Sequence, residues 1–160
     1  MSKVNPIPEG HHTITPHLIV NDGKGAIEFY KQAFGAEVIG CHMADDKGKI
    51  MHAELKIGDS ILYLCDEFAG IARGPLSLGG SPVALHLYVE NVDEFFNRAV
   101  EAGATVRMPI EDQFWGDRYG KLADPFGHDW SIATHVKDLT EEEIIAAGQD
   151  AMAAMSQTGD

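Results

Sequence analysis

Two stretches of the chain have the same order of apolar and polar residues. Residues 17–20 read as a strand and precede a helical stretch that closes on Phe34 and Gly35. Residues 86–89 precede a second helical stretch that closes on Ala102 and Gly103. Because two copies are too few for a solenoid, the repeat predicts two half-domains that pack around a pseudo-twofold axis.

Periodicity within each copy predicts the remaining elements. Ile27, Tyr30 and Phe34 are spaced as on one face of a helix that ends at Gly35. A strand is expected from Thr13 onwards, with Ile14 on its apolar side. The other predicted strands cover residues 37–43, 50–57, 61–65, 83–89, 105–109, 113–119 and 130–134, and further helices cover residues 92–102 and the stretch from Glu141 onwards. Thr140 and Glu143 predict a capping box for the last helix.

The order of these elements predicts an α+β chain of two tandem βαβββ modules, whose curved mixed sheets surround a cleft. Residues 13–67 form the first predicted module and residues 83–137 the second. The glycine- and proline-rich residues 68–82 are the predicted linker. Residues 1–12 are an N-terminal strap, and residues 138–160 are a C-terminal helix and tail.

Composition restricts the possible partners. The chain has 160 residues, with 25 acidic against 12 basic side chains and a formal net charge of −13. Such a field repels phosphate backbones and anionic lipids, so we expect neither nucleic-acid nor membrane binding. The two cysteines are too few for a disulfide framework, and no leader or membrane-spanning run is evident, which predicts a cytoplasmic protein.

The repeat and three motifs resemble the vicinal oxygen chelate superfamily, which groups glyoxalase I, bleomycin-resistance proteins, extradiol dioxygenases and fosfomycin-resistance enzymes. The motifs lie at residues 26–35, 52–60 and 113–118, with a closing turn at residues 124–127. They are most similar to the PhnB-like branch. The resemblance implies the paired-module fold and a homodimer, because such proteins commonly assemble their clefts from facing modules.

The resemblance also implies positions for a metal site. Glyoxalase-type members hold a divalent metal on one residue of the first strand and one of the fourth strand of each module. The corresponding positions here are Thr15, either Leu62 or Tyr63, Ala84 and Ser131. None of them is a histidine, aspartate or glutamate, which are the donors that zinc, nickel or iron prefer. We therefore expect no metal cofactor at the usual site.

Strand parity places a different set of residues in the cleft. Ala84, His86 and Tyr88 alternate with an apolar face, and by the repeat His17 points inward as well. The aromatic pair Phe114 and Trp115, with Arg118, is expected at the cleft mouth, where arginine would pair with an anionic group. The full set of candidate ligand-binding residues is His17, His52, Glu54, Tyr63, His86, Tyr88, Phe114, Trp115, Arg118 and Ser131.

Three interpretations of this set remain open. His17 and His86 are hydrogen-bonded residues that shape a pocket, or one of them is a catalytic acid or base near neutral pH. Alternatively, His17, Glu54 and His86 hold a divalent metal at a shifted site.

The leading functional hypothesis is a small-molecule-binding protein whose ligand lies in an aromatic-lined cleft, with no metal at the usual positions. The alternative is an enzyme, namely a metal-dependent lyase, isomerase or dioxygenase of glyoxalase type with the shifted site. A regulatory or scaffolding dimer with an idle cleft is a third possibility.

Overall fold

Two four-stranded mixed sheets form the framework of the protein. The computed structural model describes residues 4–43 and 48–157. The elements in chain order are β1 (His17–Val20), α1 (Gly23–Phe34), β2 (Glu37–Met43), β3 (Ile50–Ile57), β4 (Ser60–Asp66), α2 (Pro75–Leu78), β5 (Ala84–Tyr88), α3 (Val92–Glu101), β6 (Thr105–Asp112), β7 (Asp117–Ala123), β8 (Asp129–His135) and α4 (Glu141–Gln157).

The two sheets have the same strand order. The first is ordered β1-β4-β3-β2 and the second β5-β8-β7-β6, with the first strand of each module parallel to the last and the other pairs antiparallel. The predicted α+β fold with two βαβββ modules is therefore confirmed. No helix among the described residues is both long and apolar enough to cross a membrane.

Each sheet has one face against a helix and one open face. On β1, Leu18 and Val20 are buried beneath α1, and His17 is exposed on the other side. On β5, Leu85 and Leu87 pack against the core while Tyr88 is 64% exposed. Strand parity from the sequence was thus correct, and we call the side opposite the helix the open face of each sheet.

The core is continuous between the modules because α1 contacts the second module directly. The rings of Phe34 and Phe95 stack with centroids 5.5 Å apart, and Trp130 of β8 lies 4.6 Å from Phe34. Arg98 of α3 donates from Nε to the carbonyl oxygen of Ala33 at 3.0 Å. Burial of these large rings from both modules stabilises the two halves as one unit.

The last strand of each module fixes the start of its helix. In the first module the buried Asp66 accepts hydrogen bonds from the amides of Gly23 at 2.8 Å and Ile50 at 2.6 Å. In the second module the Thr134 hydroxyl accepts from the Val92 amide at 2.9 Å. Side-chain acceptors thereby satisfy the amides of Gly23 and Val92, which a helix leaves unpaired at its N-terminus, and Asp66 also satisfies the first amide of β3.

Three sequence predictions differ from the structure. β1 begins at His17 rather than Thr13, and Pro16 explains the difference because it has no N–H to donate to a strand ladder. The strand predicted at residues 113–119 is instead β7, since Gly116, with φ of 99°, ends a turn just before it. The linker contains the short α2, with Pro75 in its first turn.

The capping box is confirmed, because the Thr140 amide donates to Glu143 Oε2 at 2.8 Å.

Candidate functional site

The open face of the first sheet carries a group of histidines around one tyrosine, which we call the first cluster. Its members are His11, His17, His52, Glu54 and Tyr63. The Tyr63 ring lies 4.7 Å from that of His52 and 5.9 Å from that of His17, between ring centroids. Tyr63 Oη and His11 Nε2 are hydrogen-bonded at 2.9 Å, and His52 Nε2 lies 3.3 Å from Glu54 Oε1.

Strand register explains why these residues meet. Tyr63 of β4 pairs directly with His17 of β1 and with Glu54 of β3, so all three side chains project to the same face. Burial lowers the pKa of His17, and a positive charge on His52 would lower it further. His17 is therefore kept neutral near pH 7.

The open face of the second sheet carries a larger group centred on a buried carboxylate, which we call the second cluster. Its members are His86, Tyr88, Trp115, Asp117, Tyr119, Ser131 and His135. Asp117 Oδ2 accepts from Tyr88 Oη at 2.9 Å and from Trp115 Nε1 at 3.0 Å. Asp117 Oδ1 bonds His135 Nδ1 at 2.8 Å. Three side chains from three different parts of the module therefore converge on one carboxylate.

The hydrogen bonds decide the charge of Asp117. Burial by itself raises the pKa of this carboxyl, but the bonds from His135, Tyr88 and Trp115 outweigh burial and lower the pKa. The pKa of His135 is raised because it hydrogen-bonds Asp117 and, on its other nitrogen, Asp138 at 3.0 Å. Asp117 is consequently ionised at neutral pH, beside an imidazole that favours its charged form.

His86 lies beside this centre with a different environment. Its Nδ1 is hydrogen-bonded to Ser131 Oγ at 2.8 Å, and its ring is 4.5 Å from Tyr88 and 5.9 Å from Tyr119. Burial lowers the pKa of His86, although the charge of Asp117 opposes the effect. The neutral imidazole is therefore the favoured form, flanked by two aromatic rings.

The turn before β7 places the predicted aromatic pair. The rings of Phe114 and Trp115 are 5.0 Å apart, and Trp115 also lies 5.5 Å from Tyr119. Phe114 is 41% exposed and reaches α4, where a Cβ at Gly148 would be 3.2 Å from its ring. Trp115 thus joins the second cluster, whereas Phe114 supports α4.

Arg118 does not lie with the other candidates, and its expected place at the cleft mouth is wrong. Side chains alternate along β7, so Asp117 and Tyr119 face the open side of the sheet. Arg118, which lies between them in the sequence, faces the helix side. Its Nε and Nη2 donate to the two carboxylate oxygens of Asp93, each at 2.8 Å, and Nη1 donates to Asp112 at 3.0 Å. These carboxylates raise its pKa and occupy the guanidinium.

The structure does not assemble the shifted metal site within one chain. In the part of the chain that the structure describes, no three His, Cys, Asp or Glu side chains come together in a group that could hold a metal ion. His17 and Glu54 belong to the first cluster and His86 to the second. The set His17, Glu54 and His86 is therefore not a ligand set of a single chain.

Sequence reasoning missed four members of the clusters. Asp117 and Tyr119 have the same parity as Trp115 along the predicted strand, so alternation from Trp115 was the signal that could have found them. His135 was not among the candidates, and nothing in the sequence indicates its bond to a residue 18 positions away. His11 was assigned to the strap, and its contact with Tyr63 depends on how that segment folds back.

Comparison with known proteins places the chain in a family. The uncharacterized protein Mb0911c of Mycobacterium bovis is 46% identical over 151 residues, which cover 92% of this chain and 94% of that protein. The structure of TioX from Micromonospora sp. ML1 is similar with a TM-score of 0.62 and 26% identity, over 78% of this chain and 99% of the other.

A more distant structure shares the fold alone. The PhnB protein from Bacillus cereus, a putative 3-demethylubiquinone-9 3-methyltransferase by its description, has a TM-score of 0.62 at 18% identity and covers 77% of this chain and 99% of its own. The family model that matches residues 10–132 spans both sheets up to β8. The chain belongs to the Glyoxalase/Bleomycin resistance protein/Dioxygenase superfamily.

Proposed function

We propose that this protein binds a small planar organic molecule, neutral or cationic, on the open face of the second sheet. The observation that carries the proposal is the convergence of Tyr88 and Trp115 on Asp117 Oδ2, at 2.9 and 3.0 Å. Both rings are held in place before a ligand arrives, so little conformational freedom is lost on binding. Tyr119 and His86 extend the same aromatic surface.

Charge favours a cation over an anion. Aromatic faces attract ammonium and guanidinium groups, and the ionised Asp117 is hydrogen-bonded to the polar edges of the Tyr88 and Trp115 rings. The net charge of −13 adds a long-range attraction for cations. Arg118, the residue expected to pair with an anionic group, is bound by Asp93 on the other side of β7.

The proposal requires no metal cofactor. The positions that carry metal in glyoxalase-type proteins hold Thr15, Leu62 or Tyr63, Ala84 and Ser131, which provide no imidazole or carboxylate. Ser131 instead hydrogen-bonds His86. Sequestration of a ligand, as the name of the bleomycin-resistance proteins in this superfamily implies, is the role that these side chains support.

The proposal includes a homodimer. Tyr88 is 64% exposed in the single chain although it belongs to the centre of the second cluster. A facing module of a second copy would enclose this ring and complete a cleft around the ligand. Light scattering of the purified protein tests this part, with a monomer at all concentrations as the contrary result.

A set of three probes with one aromatic ring each tests ligand binding. Benzyltrimethylammonium, benzyl alcohol and benzoate differ in charge, and their affinities are measured by calorimetry. We expect the ammonium probe to bind most tightly. Trp115→Ala should lower the affinity for this probe by at least about tenfold, equivalent to about 1.4 kcal/mol. A ligand at about 100 times its Kd also adds about 2.7 kcal/mol to the free energy of unfolding.

Arg118→Ala is the matched control, because it removes a large side chain only three positions from Trp115 but on the opposite face of the second sheet. Its affinity for the ammonium probe should equal that of the unaltered protein. Preferential binding of benzoate, or an unchanged affinity in Trp115→Ala, would refute the proposal.

A second candidate function, proton transfer by His86, rests on a different observation. The neutral ring is fixed through Nδ1 by Ser131, which leaves Nε2 as the atom that exchanges a proton with a bound molecule. The test is solvent deuterium exchange at carbon next to a carbonyl, measured by NMR with the hemithioacetal of methylglyoxal and glutathione. Exchange that disappears in His86→Gln would support this function, and equal exchange in both proteins would exclude it.

A further inference from the structure

We propose that the chain has a second small-molecule site, for a neutral apolar ligand of about the size of indole, in a cavity at the boundary between the two modules. This intermodule cavity lies between the start of β4, strand β5 and the segment before β1. Its volume is about 250 Å³. A cavity of about 150 Å³ with an aliphatic lining already holds benzene, so the intermodule cavity has room for two fused rings.

Hydrocarbon dominates the lining of the cavity. Leu62, Leu85, Leu87 and Trp130 are among the eight apolar residues that line it in the described part of the chain, and the titratable side chains that reach it are His12 and His86. Ser131 already occupies Nδ1 of His86. A charged ligand would lose hydration here without gaining an ionic partner, whereas an apolar ligand would gain contacts with the apolar lining.

The segment before β1 forms a cover with anchored ends. The carbonyl of Pro16 accepts from the Tyr63 amide at 2.8 Å, and His11 Nε2 is hydrogen-bonded to Tyr63 Oη at 2.9 Å. Between these anchors Ile14 lines the cavity and is nevertheless 83% exposed. Removing an exposed isoleucine side chain from water is favourable, so Ile14 would stabilise a complex in which an apolar ligand covers it.

This cavity is separate from the ligand site proposed above. Among the members of the second cluster, only His86 lines it. Trp115 and Tyr88 are not part of its lining. The two sites therefore prefer different ligands, one cationic and planar, the other neutral and apolar. A substitution that abolishes binding at one site should therefore leave binding at the other site unchanged.

The test is a titration of the full chain with indole, followed by methyl and amide NMR. We expect saturable shifts at Ile14, Leu62, Leu85 and Leu87. Ser60 is exposed and lines the cavity, so Ser60→Phe places a ring in the space that indole would occupy. The affinity for indole should fall by at least about tenfold. Asp59→Phe is the matched control, because the adjacent turn residue is exposed and does not line the cavity.

Xenon provides a measurement that needs no substitution, and it should shift the same methyl groups. Indole binding should persist in Trp115→Ala and under saturating benzyltrimethylammonium. Any of three results would overturn the inference: no saturable shift at the cavity residues with either probe, equal indole affinity in Ser60→Phe and Asp59→Phe, or loss of indole binding in Trp115→Ala.

Discussion

The hydroxyl of Tyr30 donates a hydrogen bond of 2.6 Å to Asp124 Oδ2, although the two residues are 94 positions apart. Trp130 Nε1 donates to the same oxygen at 2.9 Å, and the amides of Phe126 and His128 donate to Oδ1. A buried carboxylate of the second module is thus satisfied in part by a helix of the first. Burial, with the charge and hydrogen bond of Asp124, raises the pKa of Tyr30.

Tyr30→Phe should destabilise the protein by about 1.5–3 kcal/mol, because a buried carboxylate loses a donor. Urea denaturation measures the change. Tyr119→Phe is the control, since its hydroxyl makes no hydrogen bond with the described residues. Equal losses in the two variants would contradict the importance of the contact between modules.

The two helix-start contacts should differ in strength. Asp66→Ala leaves two buried amides without an acceptor, and we expect a loss of about 2–4 kcal/mol. Thr134→Val removes a neutral hydroxyl that accepts from the Val92 amide and donates to the Val89 carbonyl oxygen, and it should cost about 1–2 kcal/mol. The free energies of unfolding of both variants test this order, and a larger loss in Thr134→Val would reverse it.

The pair of His135 and Asp117 should make stability depend on pH in a defined direction. The pKa of His135 is raised in the folded protein, so its contribution is fully present below the unfolded value of about 6.5. The contribution is lost as the pH rises through the folded pKa. The difference in stability between the unaltered protein and His135→Gln should therefore be largest below about pH 6.5 and shrink as the pH rises through the raised pKa of the folded state.

Unfolding by urea at a series of pH values measures this difference. Asp138→Asn serves as a partial variant, since it removes one of the two carboxylates that hold the imidazole. A difference that grows with pH would mean that His135 is bound in its neutral form.

Gly116→Ala should both destabilise the protein and displace Trp115. Gly116 has φ of 99°, and a Cβ there would overlap the Lys137 carbonyl oxygen. We expect a loss at least about 1–3 kcal/mol greater than in Gly70→Ala, since overpacking is added to backbone strain. Gly70 is the matched control because its φ of 76° is also positive and no atom lies within 4 Å of its added Cβ.

Calorimetry with benzyltrimethylammonium separates the two effects in Gly116→Ala. Weaker binding together with a lower melting temperature would agree with displacement of Trp115. Unchanged binding would show that the turn does not position this ring.

Local patterns predicted the fold well and the site unevenly. Alternation along β1 and β5 placed His17 and His86 on the open faces correctly, because a buried apolar face fixes strand parity. Arg118 was misplaced because it was grouped with Phe114 and Trp115 as a sequence neighbour, whereas alternation along β7 puts it on the face opposite Asp117 and Tyr119. The partners of Asp117 and Tyr63 depend on contacts between distant segments, which no local pattern encodes.

The bond between Tyr30 and Asp124 bears on the history of the duplication. A half that once folded alone had to satisfy its own polar groups and cover its own aromatic rings. If residues 83–137 were expressed alone, Asp124 would lose the hydrogen bond from Tyr30. Trp130 would be exposed to solvent on the side that Tyr30 and Phe34 now cover. The second repeat therefore depends on side chains of the first, and we expect it to be destabilised when it is expressed alone.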